Sequence, residues 1–156
     1  MNTVYPVTLL YDASCPVCAL EMDHLRARNH EGRLRFVDIS AAGFDPAPYG
    51  ATLAEMDAEL HACGADGRLV VGVPALRLAY ETVGLGWVMR PTGWGPFRPL
   101  ADAGYRLFAR HRRRISAAAA PVIDAIRAHR ARRMAERMRR CAEGQCEVHH
   151  HDRRPT

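Results

Sequence analysis

Residues 9–18 read "LLYDASCPVC", an apolar run that stops at an aspartate and leads into two cysteines two residues apart. This stretch limits the fold more than any other in the chain. "PVTLLYD" (6–12) has the continuous apolar character of a short buried strand. "PVCALEMDHLRARN" (16–29) has helical spacing, with Val17, Leu20 and Leu25 near one face and Asn29 and Gly32 as stop signals. Proline is favoured at the first helical position, where its missing N–H has no partner to lose. Pro16 therefore sets the register: Cys15 is the N-cap and Cys18 the third helical residue.

That register has chemical consequences. An N-cap side chain accepts a hydrogen bond from an amide of the first turn. The helix dipole adds positive potential there. Both favour thiolate over thiol, and cysteines so placed have pKa values of about 3.5 to 7.5, against about 8.5 when free. The expectation is that Cys15 attacks a disulfide, while Cys18, sheltered one turn in, resolves the mixed disulfide. Asp12 precedes the pair. It is a candidate for tuning the thiols or taking a proton from Cys18, and equally for bonding its own turn backbone. Tyr11, Ser14 and Pro16 flank the cysteines and are the expected substrate contacts.

Downstream, "RLRFVDI" (33–39) reads as a second strand and the Gly/Pro-rich "AAGFDPAPYG" (41–50) as a loop. Thr52 and Glu55 have the spacing of a capping box. "AELHACGADGRLVVG" (58–72) reads as a hairpin turning at Asp66-Gly67, and 74–84 as a helix opened by Pro74 and ended by Gly84. Residues 85–99 are expected to be irregular, a helix to cover about 99–113, and a separate Arg-rich helical stretch to follow. The order is βαβ, hairpin, helices. With C-x-x-C at the first strand-to-helix junction, this is an α/β, thioredoxin-like arrangement. The domain is expected over 1–114, with a basic helical extension and a Cys/His tail over 115–156.

Charge is distributed unevenly. Residues 1–97 hold 7 arginines against 11 acidic residues, a net −4, whereas 98–156 hold 15 against 6, a net +9. Lysine is absent, so every basic side chain is a guanidinium. Arg112, Arg113, Arg114, Arg130, Arg132, Arg133, Arg137, Arg139 and Arg140 suit an anionic surface, while the lack of interleaved aromatics argues against base stacking. No apolar run reaches the ~20 residues of a membrane span. No signal-peptide pattern opens the chain, so the expected compartment is the cytoplasm. Five cysteines, an odd number, exclude a fully paired framework within the chain.

"LLYDASCPVC" resembles the opening of the DCC family (DUF393) of thiol-disulfide oxidoreductases, with Tyr11, Asp12, Cys15 and Cys18 in place. "DGRLVVGVPAL" resembles the family's second block through Gly67, Gly72 and Ala75, and "YRLFARHR" its closing helix through Tyr105, Ala109 and Arg112. The resemblance covers residues 4 to about 114 and implies a thioredoxin-like fold and a redox-active cysteine pair. Ala13 departs from it, standing where the family has glycine. No proline precedes the third strand, where thioredoxin places the cis-proline that faces its cysteines.

Such an enzyme needs no cofactor beyond its cysteine pair. It implies a disulfide-containing protein or small thiol as substrate, and a reductant to recycle it. Other readings stay open. Cys141, Cys146 and His149 make a second cluster that could hold zinc, alone or with Cys15 and Cys18, or pass electrons to that pair. An unspecific tail is the simpler reading. The chain could also be an interaction protein docking through its basic helix. Cys63 reads as a small buried hydrophobe, and Trp87 and Trp94 as covers for the core.

Overall fold

A computed structural model describes residues 3–142. The first strand, β1 (Val7–Tyr11), leads into α1 (Pro16–Arg26), which returns to β2 (Leu34–Asp38). A short helix, α2 (Leu53–Ala58), precedes the hairpin of β3 (His61–Cys63) and β4 (Leu69–Val71). Three helices follow: α3 (Val73–Thr82), α4 (Gly86–Gly93) and α5 (Arg98–Ala142). The four strands form one sheet in the order β2-β1-β3-β4. β1 runs parallel to β2 and antiparallel to β3, with Leu9 opposite both Phe36 and Ala62. This is the thioredoxin-like α/β topology expected from the sequence, and it puts the strand that carries the cysteines at the centre.

Alternation along β1 divides the core. Val7, Leu9 and Tyr11 face one side and pack with Met22 and Leu25 of α1 and Ala75 and Ala79 of α3. Leu10 faces the other side and packs with Ile39 and Met56. The local signals read from sequence are present. Thr52 Oγ1 accepts the Glu55 N–H while the Glu55 carboxylate accepts the Thr52 N–H, completing the capping box. Gly67 and Gly72 have φ of 76° and 71°, which explains glycine at these two positions of the second block.

The last third differs from expectation. Residues 86–93 form α4 despite their Gly and Pro content, because helix propensity is weak beside packing, here against α3. The two separate helices expected after residue 98 are one, since "RRISAAAA" between them is good helix-forming sequence. Pro121 lies inside this helix, where it leaves the Ala117 carbonyl without its usual donor. The chain divides into two compact units at that proline, Met1–Ala120 and Pro121–Thr156, and residue 114 falls within α5. In the second unit Arg130, Arg132, Arg133, Arg137, Arg139 and Arg140 are exposed.

Candidate functional site

The turn from β1 to α1 is held from both ends. Asp12 Oδ1 accepts the Ser14 backbone N–H at 2.9 Å and the Ser14 hydroxyl at 2.5 Å. The Asp12 carbonyl accepts the Cys15 N–H at 3.3 Å. From the neighbouring strand, Asp38 Oδ1 accepts the Ala13 N–H at 3.0 Å. Among the described residues every non-glycine has negative φ, so alanine at position 13 meets no backbone penalty.

Burial by itself would raise the Asp38 pKa. Hydrogen bonds from Ser40 and Ala13, with the Arg26 charge, outweigh it and hold the carboxyl below its ordinary 3.8. A lowered folded pKa adds stability above the unfolded value, and this is lost as pH falls through the folded one. The stability advantage of the wild type over Asp38→Asn is therefore expected to be constant near neutrality and to shrink as pH falls below 3.8. Urea unfolding at stepped pH measures it, and an advantage that grows on acidification would contradict the assignment.

Cys15 is the N-cap of α1, with extended backbone, and its sulfur accepts the Cys18 N–H at 3.3 Å. Pro16 opens the helix as expected. Cys15 and Cys18 are joined as a disulfide, with Cα atoms 5.2 Å apart. Their exposure reverses the expectation. Cys15 is only 3% exposed, and Ser116 of α5, itself buried, brings its Oγ to 3.3 Å from the Cys15 sulfur. Cys18, expected to be the sheltered one, is half-buried. The cause lies 101 residues away in the chain, beyond the reach of helix-cap reasoning.

α5 makes a second contact with the turn. Arg112 is 8% exposed and pairs through Nη2 with Asp12 Oδ2 at 3.4 Å and with Asp57 Oδ1. This corrects the grouping of Arg112 with the arginines that suit an anionic surface: its charge is spent inside the fold. Asp12 is thus bound at both carboxylate oxygens. Nearby, the Tyr105 hydroxyl accepts the Leu60 N–H at 2.7 Å. Burial raises the Tyr105 pKa, the Leu60 hydrogen bond lowers it and the Glu59 charge raises it, and the net direction is upward.

These elements line a partly open cavity of about 230 Å³. Val17, Met22, Leu60, Leu76 and Phe108 give it an apolar wall; Cys18 lines it and Cys15 does not. Asp12, Glu21, Glu59 and Arg112 supply the charges around it. Sequence reading missed this cavity, and its only signal was helical spacing that brings Tyr105, Phe108, Ala109 and Arg112 to one face.

The remaining candidates are spread out. Tyr11 is the exception: it packs in the core, accepts a hydrogen bond from Arg26 at 2.6 Å and lines the same cavity as Asp12 and Cys18, while Ser14 is exposed and bound to Asp12. Pro16 is half-buried in the first turn. Cys63 is a free thiol whose pKa is raised by burial and then by Asp66. Trp87 and Trp94 are 69% and 64% exposed, so they do not cover the core; Trp94 instead meets Phe97 in a tilted ring contact. Cys141 sits in the last turn of α5, whereas Cys146 and His149 lie outside the described residues. Among the described residues no group of three or more His, Cys, Asp or Glu is placed to hold a metal. None of the described helices is long and apolar enough to cross a membrane.

A disulfide at the N-terminus of the first helix, just after the inner strand β1 of a β2-β1-β3-β4 sheet, defines a thioredoxin-like dithiol/disulfide protein. The chain belongs to the DCC1-like thiol-disulfide oxidoreductase family, whose model matches residues 9–118. It is also similar to an uncharacterized chloroplastic protein of Arabidopsis thaliana, 38% identical over 124 residues. The match covers 78% of this chain but only 57% of that relative. No solved structure gave a significant match.

Proposed function

We propose that this chain is a thiol-disulfide oxidoreductase of the protein-disulfide reductase type. The single observation that carries this reading is Cys15 at the helix N-cap, accepting the Cys18 N–H and bonded to Cys18. In the reduced state the Cys15 sulfur keeps its place at the helix N-cap, facing the Cys18 N–H. The dithiol gives two electrons to a substrate disulfide, releases two substrate thiols and is left as the Cys15–Cys18 disulfide, which a separate thiol reductant recycles. The two sulfurs carry the electrons, so no bound cofactor is required. Asp12 acts as a positioning residue that fixes the turn, with Ser14 and Pro16 at its surface.

The test is insulin reduction with dithiothreitol as the recycling thiol. The wild type is expected to accelerate it, and Cys15→Ser and Cys18→Ser are each expected to fall to the rate of dithiothreitol alone. A wild type no faster than dithiothreitol would overturn the reading. A second, compatible role is suggested by the exposed guanidiniums of residues 130–140, which suit an anionic partner. Salt-dependent retention on heparin, lost on truncation after residue 120, tests that. The cytoplasm remains the proposed compartment, and imaging the tagged full chain checks it.

A further inference from the structure

We infer that Cys18, not Cys15, is the sulfur that exchanges with substrate, and that the substrate is a thiol or disulfide with an uncharged apolar body seated in the cavity beside Cys18. The inference rests on the proposed redox function and reverses the usual division of labour between two such cysteines.

Access comes first. Cys15 is 3% exposed and faces the buried Ser116 hydroxyl at 3.3 Å, so it offers little surface to an external sulfur. Cys18 borders a cavity of about 230 Å³. Leaving-group chemistry points the same way, because exchange is faster when the departing thiol has the lower pKa. The Cys15 sulfur accepts the Cys18 N–H at the positive end of α1, so it departs as the stabilised thiolate.

The step balances. A substrate thiolate attacks Cys18 Sγ, and a new sulfur–sulfur bond forms there. The Cys15–Cys18 bond breaks, and its electron pair leaves on Cys15. A second substrate thiolate then attacks the mixed disulfide, giving the substrate disulfide and the reduced pair. In reverse, Cys18 attacks a substrate disulfide and Cys15 resolves it.

The lining decides the substrate class. The wall is apolar through Val17, Met22, Leu76 and Phe108. Around it stand the carboxylates of Asp12, Glu21 and Glu59, against the single guanidinium of Arg112, already shared between Asp12 and Asp57. Among the residues that line the cavity, carboxylates outnumber guanidiniums three to one, so a negatively charged thiol compound is disfavoured there, whereas a neutral apolar body gains from burial.

The experiment uses the reduced full chain carrying Cys15→Ser or Cys18→Ser. Serine keeps an N-cap oxygen at position 15, so the helix start is retained. The probes are neutral dithiodipyridine and doubly anionic dithiobis(nitrobenzoate). Peptide mass mapping assigns each adduct and separates it from Cys63, Cys141 and Cys146. Cys18 in the Cys15→Ser chain is expected to react with the neutral probe at least about tenfold faster than Cys15 in the Cys18→Ser chain. Relative to N-acetylcysteine amide, Cys18 is expected to favour the neutral probe by about tenfold, and Ala109→Leu, which fills the cavity, to remove most of that preference. Faster labelling of Cys15 in a chain that reduces insulin overturns the sulfur assignment and leaves the reductase reading standing. Equal preference for the two probes at Cys18 overturns the substrate class. Thiols that react at free-thiol rates in a chain that does not reduce insulin overturn both.

Discussion

Arg112→Ala is expected to destabilise the first unit by about 3–5 kcal/mol, because removing one partner of a buried ion pair leaves the other charge buried and uncompensated. The stranded group is Asp12, 6% exposed, which also holds the Ser14 amide in the turn before Cys15. Asp57 loses less, since its side chain is 43% exposed and Arg113 still reaches its Oδ2 at 3.5 Å. The double variant Asp12→Asn/Arg112→Ala is expected to recover part of the loss, because it removes the stranded charge. Arg112→Lys is expected to recover little, because one ammonium cannot reproduce the guanidinium's fork to two carboxylates. Urea unfolding of all four proteins under oxidising conditions measures these differences. A cost for Arg112→Ala below about 0.5 kcal/mol would place it with ordinary surface substitutions and refute the buried-pair account.

Leu9→Ala is expected to cost about 2–5 kcal/mol, the range for a fully buried leucine whose surroundings only partly collapse. Leu9 has no exposed surface, lies on the central strand between Phe36 and Ala62, and packs with Met22, Leu25 and Ala79. Helices on its side of the sheet are held by their own contacts and cannot all move inward to fill the space. Since a domain of this size is stable by only ~5–15 kcal/mol, the loss is a large part of the total. Leu107→Ala, at a position 61% exposed, serves as the control and is expected to stay within about 0.5 kcal/mol of wild type. Equal midpoints for the two alanine variants would contradict the assigned core.

The two effects are of different kinds. Leu9 was visible in the sequence, since an apolar run read as a short buried strand has few other places to go; Arg112 was not. In sequence it is one of ten arginines in residues 112–140, and only its place in the closing-helix block set it apart. Burying a guanidinium requires carboxylates to meet it, and its partners Asp12 and Asp57 are 100 and 55 residues distant. The tryptophans show the opposite error. Their size suggested core, but α4 leaves Trp87 in solvent.

By itself the sequence determined whatever depends on residues within about four positions of one another. Pro16 fixed the start of α1 and so made Cys15 the N-cap; Thr52 and Glu55 fixed the start of α2; Asp66 and Gly67 fixed the hairpin turn. These are local hydrogen-bond and torsional choices that a short peptide already carries. Tertiary structure alone decided which sulfur of the pair meets the outside. Exposure is set by what packs on top, and here that is Ser116 of α5 over Cys15, and beside Cys18 an apolar cavity that α5 closes on one side with Tyr105, Phe108 and Ala109.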